Sequence, residues 1–404
     1  MKFPRILFIL CAVSVLAALS ACGGGTGVGR TPTPPPPPTG TNYTTCVSTS
    51  GGSQLVPNWQ SQLFYSNYQT AVSALLTHVS QASYASHIGY IRVGLSKGGE
   101  INLPSGWDNS SSGACYGGYS GKWGYTAGSP GDSWNSYLQS MVQWEGGLNT
   151  SIPLLVSITP ITDVGTEPDD FIAQVAAQNG INFGNQGLQA SDITSFSSGN
   201  PCAGDWCNLF HQYPMPIREL QTIGQSCPQG NGACSGQAGE TGPLPALLSF
   251  ATTQVPTPAN DFEIYYEDWL IAYDPTNANN ATYGAAYKTA IEAAASHATM
   301  QVLFPDPTNG DIQTYVLSQS SPSGVVIDVD WSDIQPSSSG SFDWTITDAT
   351  INQWLSAGAK KVNLVFQNTT YGGNNCSGSN GTGSNGVDSS GNCAMPAWMW
   401  TVLQ

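Results

Sequence analysis

The sequence is poor in charge, and above all in basic residues. Only 10 of its 404 residues are Lys or Arg, against 26 Asp or Glu, and the formal net charge is -16. Three of the bases, Lys2, Arg5 and Arg30, lie before residue 43, so seven remain to face all 26 acids in the rest of the chain. Because phosphate binding needs clustered bases, nucleic acid is not an expected partner. A surface of Ser, Thr, Asn, Gly and Gln suits an exported protein and neutral, hydroxyl-rich ligands.

Several nucleotide-binding and metal-binding motifs are also missing. No Gly-x-Gly-x-x-Gly sequence and no P-loop follows a predicted strand, which argues against a nucleotide site. No paired Cys-x-x-Cys occurs and the four histidines are scattered, so we expect no metal and no cofactor. A metal-dependent hydrolase would need a cluster of His and carboxylate residues at strand ends, which the sequence does not suggest.

The first 42 residues lack the composition of a folded domain. In residues 1–22, two basic residues precede an apolar stretch, which indicates a signal peptide. Its Leu-Ser-Ala-Cys end resembles a bacterial lipobox, which implies lipidation of Cys22 and a membrane anchor; an ordinary secretory signal is the alternative. Residues 23–42 are rich in Gly and Pro and predict a linker. We therefore expect one monomeric body over residues 43–404, lipid-anchored at the bacterial cell envelope or outside the cell.

Eight cysteines lie beyond the leader, and this even number argues for disulfides in an oxidising compartment. Close spacing suggests that Cys202 pairs with Cys207, Cys227 with Cys234, and Cys376 with Cys393, which leaves Cys46 for Cys115. Other connectivities stay open, because sequence alone cannot choose among them.

Short β-rich runs alternate with amphipathic runs along the body, which predicts parallel strands joined by crossover helices. In the clearest unit, a strand over Val325–Trp331 precedes a helix that starts at Thr345, with Asp348 as capping partner, and stops at Gly358. The other predicted strands are Tyr90–Ser96, Pro153–Thr159, Ile181–Gly184, Ile217–Thr222, Phe262–Tyr266, Met300–Phe304 and Lys361–Gln367. The other predicted helices are Asn67–Gln81, Asp169–Gln178, Gly242–Ala251 and Thr282–His297. Eight strands favour an α/β fold of the closed (β/α)8 TIM-barrel type, with an open doubly wound sheet as the alternative.

In such a barrel, functional side chains lie at the carboxyl ends of strands, so acids at those positions are candidates for glycosidic-bond chemistry. The alternation of the strand Tyr90–Ser96 turns Arg92 toward the barrel axis. Glu100 follows the end of that strand, and Gly98 and Gly99 allow a tight turn that aims it. A solvated loop glutamate is the alternative reading of Glu100.

The strand Ile217–Thr222 carries a second acid. If Leu220 packs on the helices, Glu219 and Gln221 enter the cleft. A nearby guanidinium holds a carboxylate ionised, as a nucleophile requires, and Arg92 is a better candidate for this than Arg218.

Two further strands carry acids on one face. Glu263, Tyr265 and Glu267 share a face, so Glu263 and Tyr265 are candidates for substrate binding, and Glu263 or Glu267 is an alternative nucleophile. Asp328 and Asp330 share a face of the strand Val325–Trp331, and either a cleft role or a structural role fits them.

A family resemblance lies near the C-terminus. The chain carries Trp331-Ser332-Asp333-Ile334-Gln335-Pro336, followed by Gly340-Ser341-Phe342-Asp343-Trp344. This run resembles the W-S-x-I-E-P-x-x-G-x-F-D-W signature of the large retaining glycoside hydrolase clan of (β/α)8 barrels, which includes microbial β-galactosidases and endoglycanases. Lys361–Gln367 and Pro396-Ala397-Trp398 look like that clan's third strand and its P-x-W loop. The resemblance is diffuse but covers most of the body. Gln335 stands where the clan usually has Glu, and Gly99 where it usually has Asn.

The resemblance implies a catalytic pair and a rotated strand order. In the clan, a Glu after strand four is the acid/base and a Glu at strand seven is the nucleophile, which by order are Glu100 and Glu219. The motifs of the second and third strands stand last in this chain, so the barrel looks circularly permuted with its break after the family's third strand. Residues 398–404 should then lie close to residues 46–59. A truncated gene is the alternative.

These patterns predict a retaining glycoside hydrolase whose partner is a carbohydrate. The carboxyl groups of Glu100 and Glu219 should lie about 5 to 5.5 Å apart. The expected sugar-binding residues are Arg92, Gln221, Glu263, Tyr265, Asp330, Trp331 and Trp398. The Gly/Ser-rich loops at 106–130 and 374–393 are expected to wall the cleft. The alternative function is a lipid-anchored glycan-binding protein on a barrel that has lost catalysis.

Overall fold

The structure, a computed structural model, describes residues 40–47, 53–96, 99–101, 123–126, 129, 131–159, 170–230, 233–306, 310–337, 340–368 and 395–400. The signal peptide, Cys22 and most of the linker therefore lie outside the described residues. So do Cys115, Cys376, Cys393, the side chain of Cys46 and most of the two Gly/Ser-rich loops.

The described body begins with a two-stranded antiparallel pair that the sequence pattern did not predict. Strand β1 (Tyr43–Val47) pairs with β2 (Ser53–Pro57), with Tyr43 opposite Pro57 and Val47 opposite Ser53.

Eight parallel strands follow and close into a barrel. They are β3 (Ile88–Val93), β4 (Leu154–Ser157), β5 (Asn182–Leu188), β6 (Arg218–Thr222), β7 (Asp261–Tyr265), β8 (Thr299–Leu303), β9 (Gly324–Asp330) and β10 (Lys361–Gln367). Each pairs with the next in chain order, and β10 closes the ring against β3. The predicted (β/α)8 barrel is thus confirmed, and the open sheet is excluded. A closed ring is the same from any starting strand, so closure does not test the circular permutation.

Helices connect the strands. In chain order they are α1 (Gln62–Gln81), α2 (Ser133–Gly146), α3 (Asp170–Gln178), α4 (Ala190–Ser197), α5 (Trp206–Gln212), α6 (Gln237–Thr241), α7 (Leu244–Thr253), α8 (Tyr266–Tyr273), α9 (Ala285–Ala295), α10 (Trp331–Ile334) and α11 (Thr345–Ser356). Helix α1 starts where Ser61 accepts a hydrogen bond from the amide of Phe64, and α2 where Asp132 accepts one from Asn135. The predicted helices are present, most of them with shifted ends, whereas α2, α4, α5, α6, α8 and α10 were not predicted. None of the described helices has the length and apolarity needed to cross a membrane.

The start of α11 differs from its predicted cap. The helix begins at Thr345, and Gly358 follows its end with φ +108°, as expected. The residue before it, Trp344, makes no side-chain cap, and the Thr345 amide bonds to Asp343 instead. Asp348 binds His78 of α1 at 2.7 Å, so its carboxylate is used between helices rather than at the helix end.

The barrel has an apolar outside and a largely polar inside. Along β3, Ile91 and Val93 join the hydrophobic core between strands and helices, while Tyr90 and Arg92 turn inward. A small separate apolar cluster fills the inner side of β8 to β10, where Leu303, Val326 and Val365 meet. The remainder of the interior carries side chains that need hydrogen-bond partners, which is where a site can form.

Two side chains link the ends of the described body. Asn67 of α1 donates to Asn42 at 3.1 Å and to the sulfur of Met399 at 3.6 Å. Trp59 donates to Asn368 at 3.1 Å. The residues just before β1 and those of the last described segment therefore meet at α1.

Two of the suggested disulfides are confirmed. Cys202 bonds to Cys207 with their Cα atoms 6.0 Å apart, and Cys227 bonds to Cys234 with their Cα atoms 5.8 Å apart. The first disulfide joins the segment between α4 and α5 to α5 itself, and the second closes a loop between β6 and α6.

Candidate active site

A buried arginine organises the part of the barrel interior that lies below the carboxyl ends of the strands. Arg92 of β3 donates to Glu263 Oε2 at 2.9 Å and to Gln221 Oε1 at 3.0 Å. Its Nη1 also lies 3.9 Å from Glu219 Oε2. Burial alone would lower the pKa of Arg92, but the carboxylates of Glu263 and Glu219 raise it above its ordinary value. Arg92 is therefore a permanent cation at the centre of a group of acids.

Glu219 lies inside this group and is closed off from solvent. Its side chain is 0% exposed, and Gln186 of β5 donates to its Oε2 at 2.6 Å. Space for it comes from the neighbouring strand, because a Cβ on Gly184 would lie 2.0 Å from Glu219 Oε2. Burial and then the neighbouring Glu263 raise its pKa well above the ordinary value. The inward orientation of Glu219 and Gln221 is as predicted, but substrate has no path to the Glu219 carboxyl in this state.

Two acids of β7, Asp261 and Glu263, lie in the same buried group as Glu219. Tyr90 donates to Glu263 Oε1 at 2.5 Å, and Asp261 lies within 3.5 Å of the same hydroxyl. Burial and then the charge of Glu263 raise the pKa of Asp261 well above its ordinary value. One guanidinium faces three acids and pairs most closely with Glu263, so the surroundings of Glu219 and Asp261 favour their protonated forms. We call Tyr90, Arg92, Glu219, Asp261 and Glu263 the closed layer.

Glu263 is consequently not a substrate-binding residue. It is fully buried, and both of its oxygens are occupied by Arg92 and Tyr90. The sequence argument requires an inward glutamate to be either paired or used in function, and Glu263 is paired. Its predicted contact with sugar is not supported, because the residue lies below the accessible part of the barrel.

Tyr265, two residues after Glu263, is the last residue of β7 and lies at the carboxyl end of the barrel. It is partly exposed, and it shares a hydrogen bond with Gln221, which Arg92 holds from below. Burial, and then the charges of Glu100 and Glu267, raise the pKa of Tyr265 to about 12. The charges of both carboxylates therefore act on the same phenol. We call Glu100, Tyr265 and Glu267 the rim group.

Glu100 reaches the rim because of the turn after β3. Gly99 has φ +76°, and a Cβ on Gly94 would lie 2.6 Å from the Cα of Gly99, so both positions need glycine. The amide of Ser96 donates to the carbonyl of Glu100 at 2.9 Å and closes this turn. Glu100 is only 8% exposed and its charge also acts on Arg92, so the reading as a solvated loop residue is wrong. Gly98, the other glycine named for this turn, lies outside the described residues.

Glu267 reaches the rim from helix α8, which directly follows β7. It lies in the first turn of α8, and the side chain of Tyr266 hydrogen-bonds to it. Its Oε2 is buried and has no hydrogen-bond partner among the described residues. A buried carboxylate oxygen without a protein partner is costly unless a ligand or water uses it.

The end of β9 adds two acids on another side of the rim. Asp328 faces inward and is exposed, and Gln367 of β10 donates to its Oδ1 at 2.5 Å. Asp330 follows on the same face and is half-buried. Between them and Tyr265, Phe304 after β8 has φ +45° and packs on the apolar cluster of Leu303, Val326 and Val365. A strained, partly exposed aromatic at this edge is a further candidate for ligand contact.

The two tryptophans predicted to bind sugar differ in access. Trp331 is 0% exposed, and its ring packs against Phe64, Tyr68 and Trp398. Its indole donates to Gln335, so a sugar ring cannot reach it and the predicted role is wrong. Trp398 is half-buried and donates to the carbonyl of Gln335 at 3.0 Å, which leaves part of its ring available.

Arg218 does not contribute to the site. Its guanidinium donates to the carbonyls of Pro258 and Met215 at the amino-terminal end of the strands, and it is partly exposed. Arg92 was thus the better of the two candidates.

Sequence reasoning missed several polar residues of the interior. Ser157 and Thr159 share a hydrogen bond of 2.5 Å above β4, and Gln186 holds Glu219 from β5. Strict alternation could have found Ser157, because Leu154 and Val156 face the core. Gln186 could not be placed in this way, since the register of β5 shifts after Asn185.

Among the described residues, no group of three or more His, Cys, Asp or Glu side chains is arranged to hold a metal ion. Comparisons with models of known protein families, with curated proteins and with solved structures find no match to this chain. The rim group is therefore interpreted from its own chemistry.

Proposed function

We propose that this protein is an exported, lipid-anchored retaining glycoside hydrolase that cleaves O-glycosidic bonds in a neutral polysaccharide or oligosaccharide. The observation that carries the proposal is the pair Glu100 and Glu267, which come from the ends of two different strands and both act on the phenol of Tyr265. Two carboxyl groups at the carboxyl end of a (β/α)8 barrel are the minimum that glycoside hydrolysis requires. The resemblance of residues 331–344 to the retaining clan, and the circular permutation it implies, belong to the same proposal.

In this mechanism Glu100 is the general acid/base and Glu267 is the nucleophile. Glu100 protonates the leaving glycosidic oxygen while the Glu267 carboxylate attacks the anomeric carbon, so the bond to the leaving sugar breaks as an ester to Glu267 forms. Glu100 then removes a proton from water, the water attacks the same carbon, and the Glu267 carboxylate is released. The carboxyl groups should lie about 5 to 5.5 Å apart in the complex with substrate.

Glu267 is preferred to Glu219 as the nucleophile because of access. A nucleophile must touch the anomeric carbon, and Glu219 is fully buried with a raised pKa. Both acids have one buried oxygen without a hydrogen-bond partner among the described residues, but only the side chain of Glu267 is partly exposed. Arg92 supports the site through Gln221, which bonds to Tyr265, and through its charge, which acts on Glu100 and Tyr265.

The sugar-binding residues of this proposal are those with exposed surface near the rim group. Tyr265 and Phe304 offer aromatic faces, which stack on sugar rings, and Asp328 and Asp330 offer acceptors for hydroxyl groups. Trp398 keeps its predicted role in sugar binding in this proposal. The excess of acid over base in the chain fits a neutral substrate better than an anionic one.

The test is hydrolysis of a panel of soluble neutral α- and β-linked polysaccharides, followed by release of reducing ends. The wild-type protein should release reducing sugar from at least one member, and the first product should keep the anomeric configuration of the substrate by NMR. Glu100→Gln and Glu267→Gln should each abolish this activity. The matched control is Glu145→Gln, because Glu145 is a buried acid on α2, outside the barrel. Binding to glycans without any release of reducing ends would overturn the proposal in favour of an inactive glycan-binding barrel.

A further inference from the structure

The residue that follows the proposed nucleophile is itself held by an unusual set of bonds. Asp268 is fully buried, and both of its oxygens accept the backbone N–H of Ser226 at 3.1 Å. The hydroxyl of Ser226 bonds to Asp268 Oδ1 at 2.7 Å, and the hydroxyl of Tyr287 on α9 lies 2.6 Å from that of Ser226. We call Asp268, Ser226 and Tyr287 the clamp.

The clamp joins the first turn of α8 to the loop that follows β6. That loop is closed at its base, because the amide of Cys227 donates to the carbonyl of Gly242 at 2.8 Å. Thr241 donates to the carbonyl of Gly224 at 3.3 Å, and the Cys227–Cys234 disulfide closes the interior of the loop. Asp268 thus ties a cross-linked loop to the helical turn that carries Glu267.

A buried carboxyl group at this position is energetically costly if its role is only to make a structural hydrogen bond. Burial is the main cause that raises the pKa of Asp268, to about 7, while the bonds from Ser226 lower it and the charge of Glu267 raises it again. The other titratable group that faces it is Tyr287, whose own pKa is raised by burial and by Asp268, with Tyr283 beside it. What the carboxyl provides is two equivalent acceptors, which fix the rotation of the turn through one amide and one hydroxyl.

We propose that Asp268 is a positioning residue that holds Glu267 at the rim by anchoring the first turn of α8 to Ser226. This inference rests on the proposed function, because it assigns the clamp to the aim of the nucleophile. The two residues are neighbours in one helical turn, so a shift of Asp268 moves the backbone of Glu267 with it. A displacement of about 1 Å in a catalytic group can cost about 100-fold in rate.

The experiment compares clamp variants on the substrate that the panel identifies. Asp268→Asn and Ser226→Ala should lower kcat by about 10- to 100-fold with KM within about twofold, because the substrate-binding surface is unchanged while the nucleophile is misplaced. Ser226→Thr keeps the hydroxyl and should restore most of the kcat lost in Ser226→Ala. Glu145→Gln should leave both constants at their wild-type values.

Hydrogen exchange of the Ser226 amide gives a readout that does not depend on turnover. The amide should exchange faster in Asp268→Asn than in the wild-type protein, and unchanged exchange would overturn the clamp itself. Faster exchange with wild-type kcat would overturn the positioning role and leave the proposed function intact. Full activity of Glu267→Gln would remove the proposed function instead, whatever the clamp variants do.

Discussion

The closed layer and the rim group contain the same kinds of residue and differ in what they can do. Both combine carboxyl groups with tyrosine around β3 and β7, and Arg92 with Gln221 links the two levels. In the closed layer, Glu219 and Glu263 are fully buried, Arg92 pairs with Glu263, and Gln186 donates to Glu219. In the rim group, Glu100 and Glu267 lie one step nearer the carboxyl ends of the strands, beside a partly exposed tyrosine. The comparison teaches that an inward carboxyl is a candidate for catalysis only at the height where substrate can reach it.

The largest expected effect separates the two levels by activity. Glu100→Gln and Glu267→Gln should each lower kcat by at least about 1,000-fold, within the range of general acid–base catalysis, while the folded state is retained. Steady-state hydrolysis with parallel thermal unfolding measures both quantities. Loss of activity in Glu219→Gln, together with normal activity in Glu267→Gln, would reverse the assignment of the two levels.

The next effect is on stability and concerns the closed layer. Arg92→Met leaves Glu263 without its cation in a site closed to solvent, so the free energy of unfolding should fall by about 3 to 5 kcal/mol. Urea unfolding measures this. Arg218→Met is the matched control, because Arg218 bonds only to backbone carbonyls near the surface and should cost about 1 kcal/mol. Equal losses in the two variants would mean that the buried ion pair does not hold the layer together.

A pH effect follows from Asp268, which links a buried acid to the rim. Its pKa of about 7 in the folded protein lies above the ordinary 3.8, so its stabilising contribution is complete below the ordinary value and is lost as the pH rises through 7. Between pH 5 and pH 8, the wild-type protein should therefore lose about 3 kcal/mol more stability than Asp268→Asn, because about two pH units separate pH 5 from this pKa, at about 1.36 kcal/mol per unit. Urea unfolding at both pH values measures the difference. Identical losses would show that Asp268 does not titrate in this range.

The smallest effect is expected for the acid that family order assigned as nucleophile. Burial raises the pKa of Glu219 well above its ordinary value, which favours the neutral form that Gln resembles. Glu219→Gln should change the free energy of unfolding by less than about 1 kcal/mol. A loss several times larger would indicate that Glu219 is ionised, and would bring its role closer to that of the rim acids.

The fold was predictable because hydrophobic periodicity carries most of its information. All eight barrel strands follow the predicted order, with ends that move by at most four residues, because alternation of apolar residues marks the helix-facing side. Helix α2 was missed because it follows a stretch rich in Gly and Ser that reads as a continuous loop. The capping role of Asp348 failed because a distant helix supplies its partner, His78, which no local pattern indicates.

The sequence predicted which residues face the barrel interior, but it did not predict how far each of them lies from solvent. Alternation placed Arg92, Glu219, Gln221 and Glu263 inside the barrel, as the structure has them. The pattern does not say how far each lies from solvent, because that depends on strand stagger and on the shift in β5. Trp331 was misplaced for a similar reason: its ring turns into the cluster around α1, which is made by residues more than 200 positions away.

The most direct test of the account is chemical trapping of the covalent intermediate. A panel of 2-deoxy-2-fluoro glycosides with good leaving groups should inactivate the wild-type protein, and peptide mass spectrometry should find the sugar on Glu267. Labelling of Glu219 instead would contradict the division between the closed layer and the rim group.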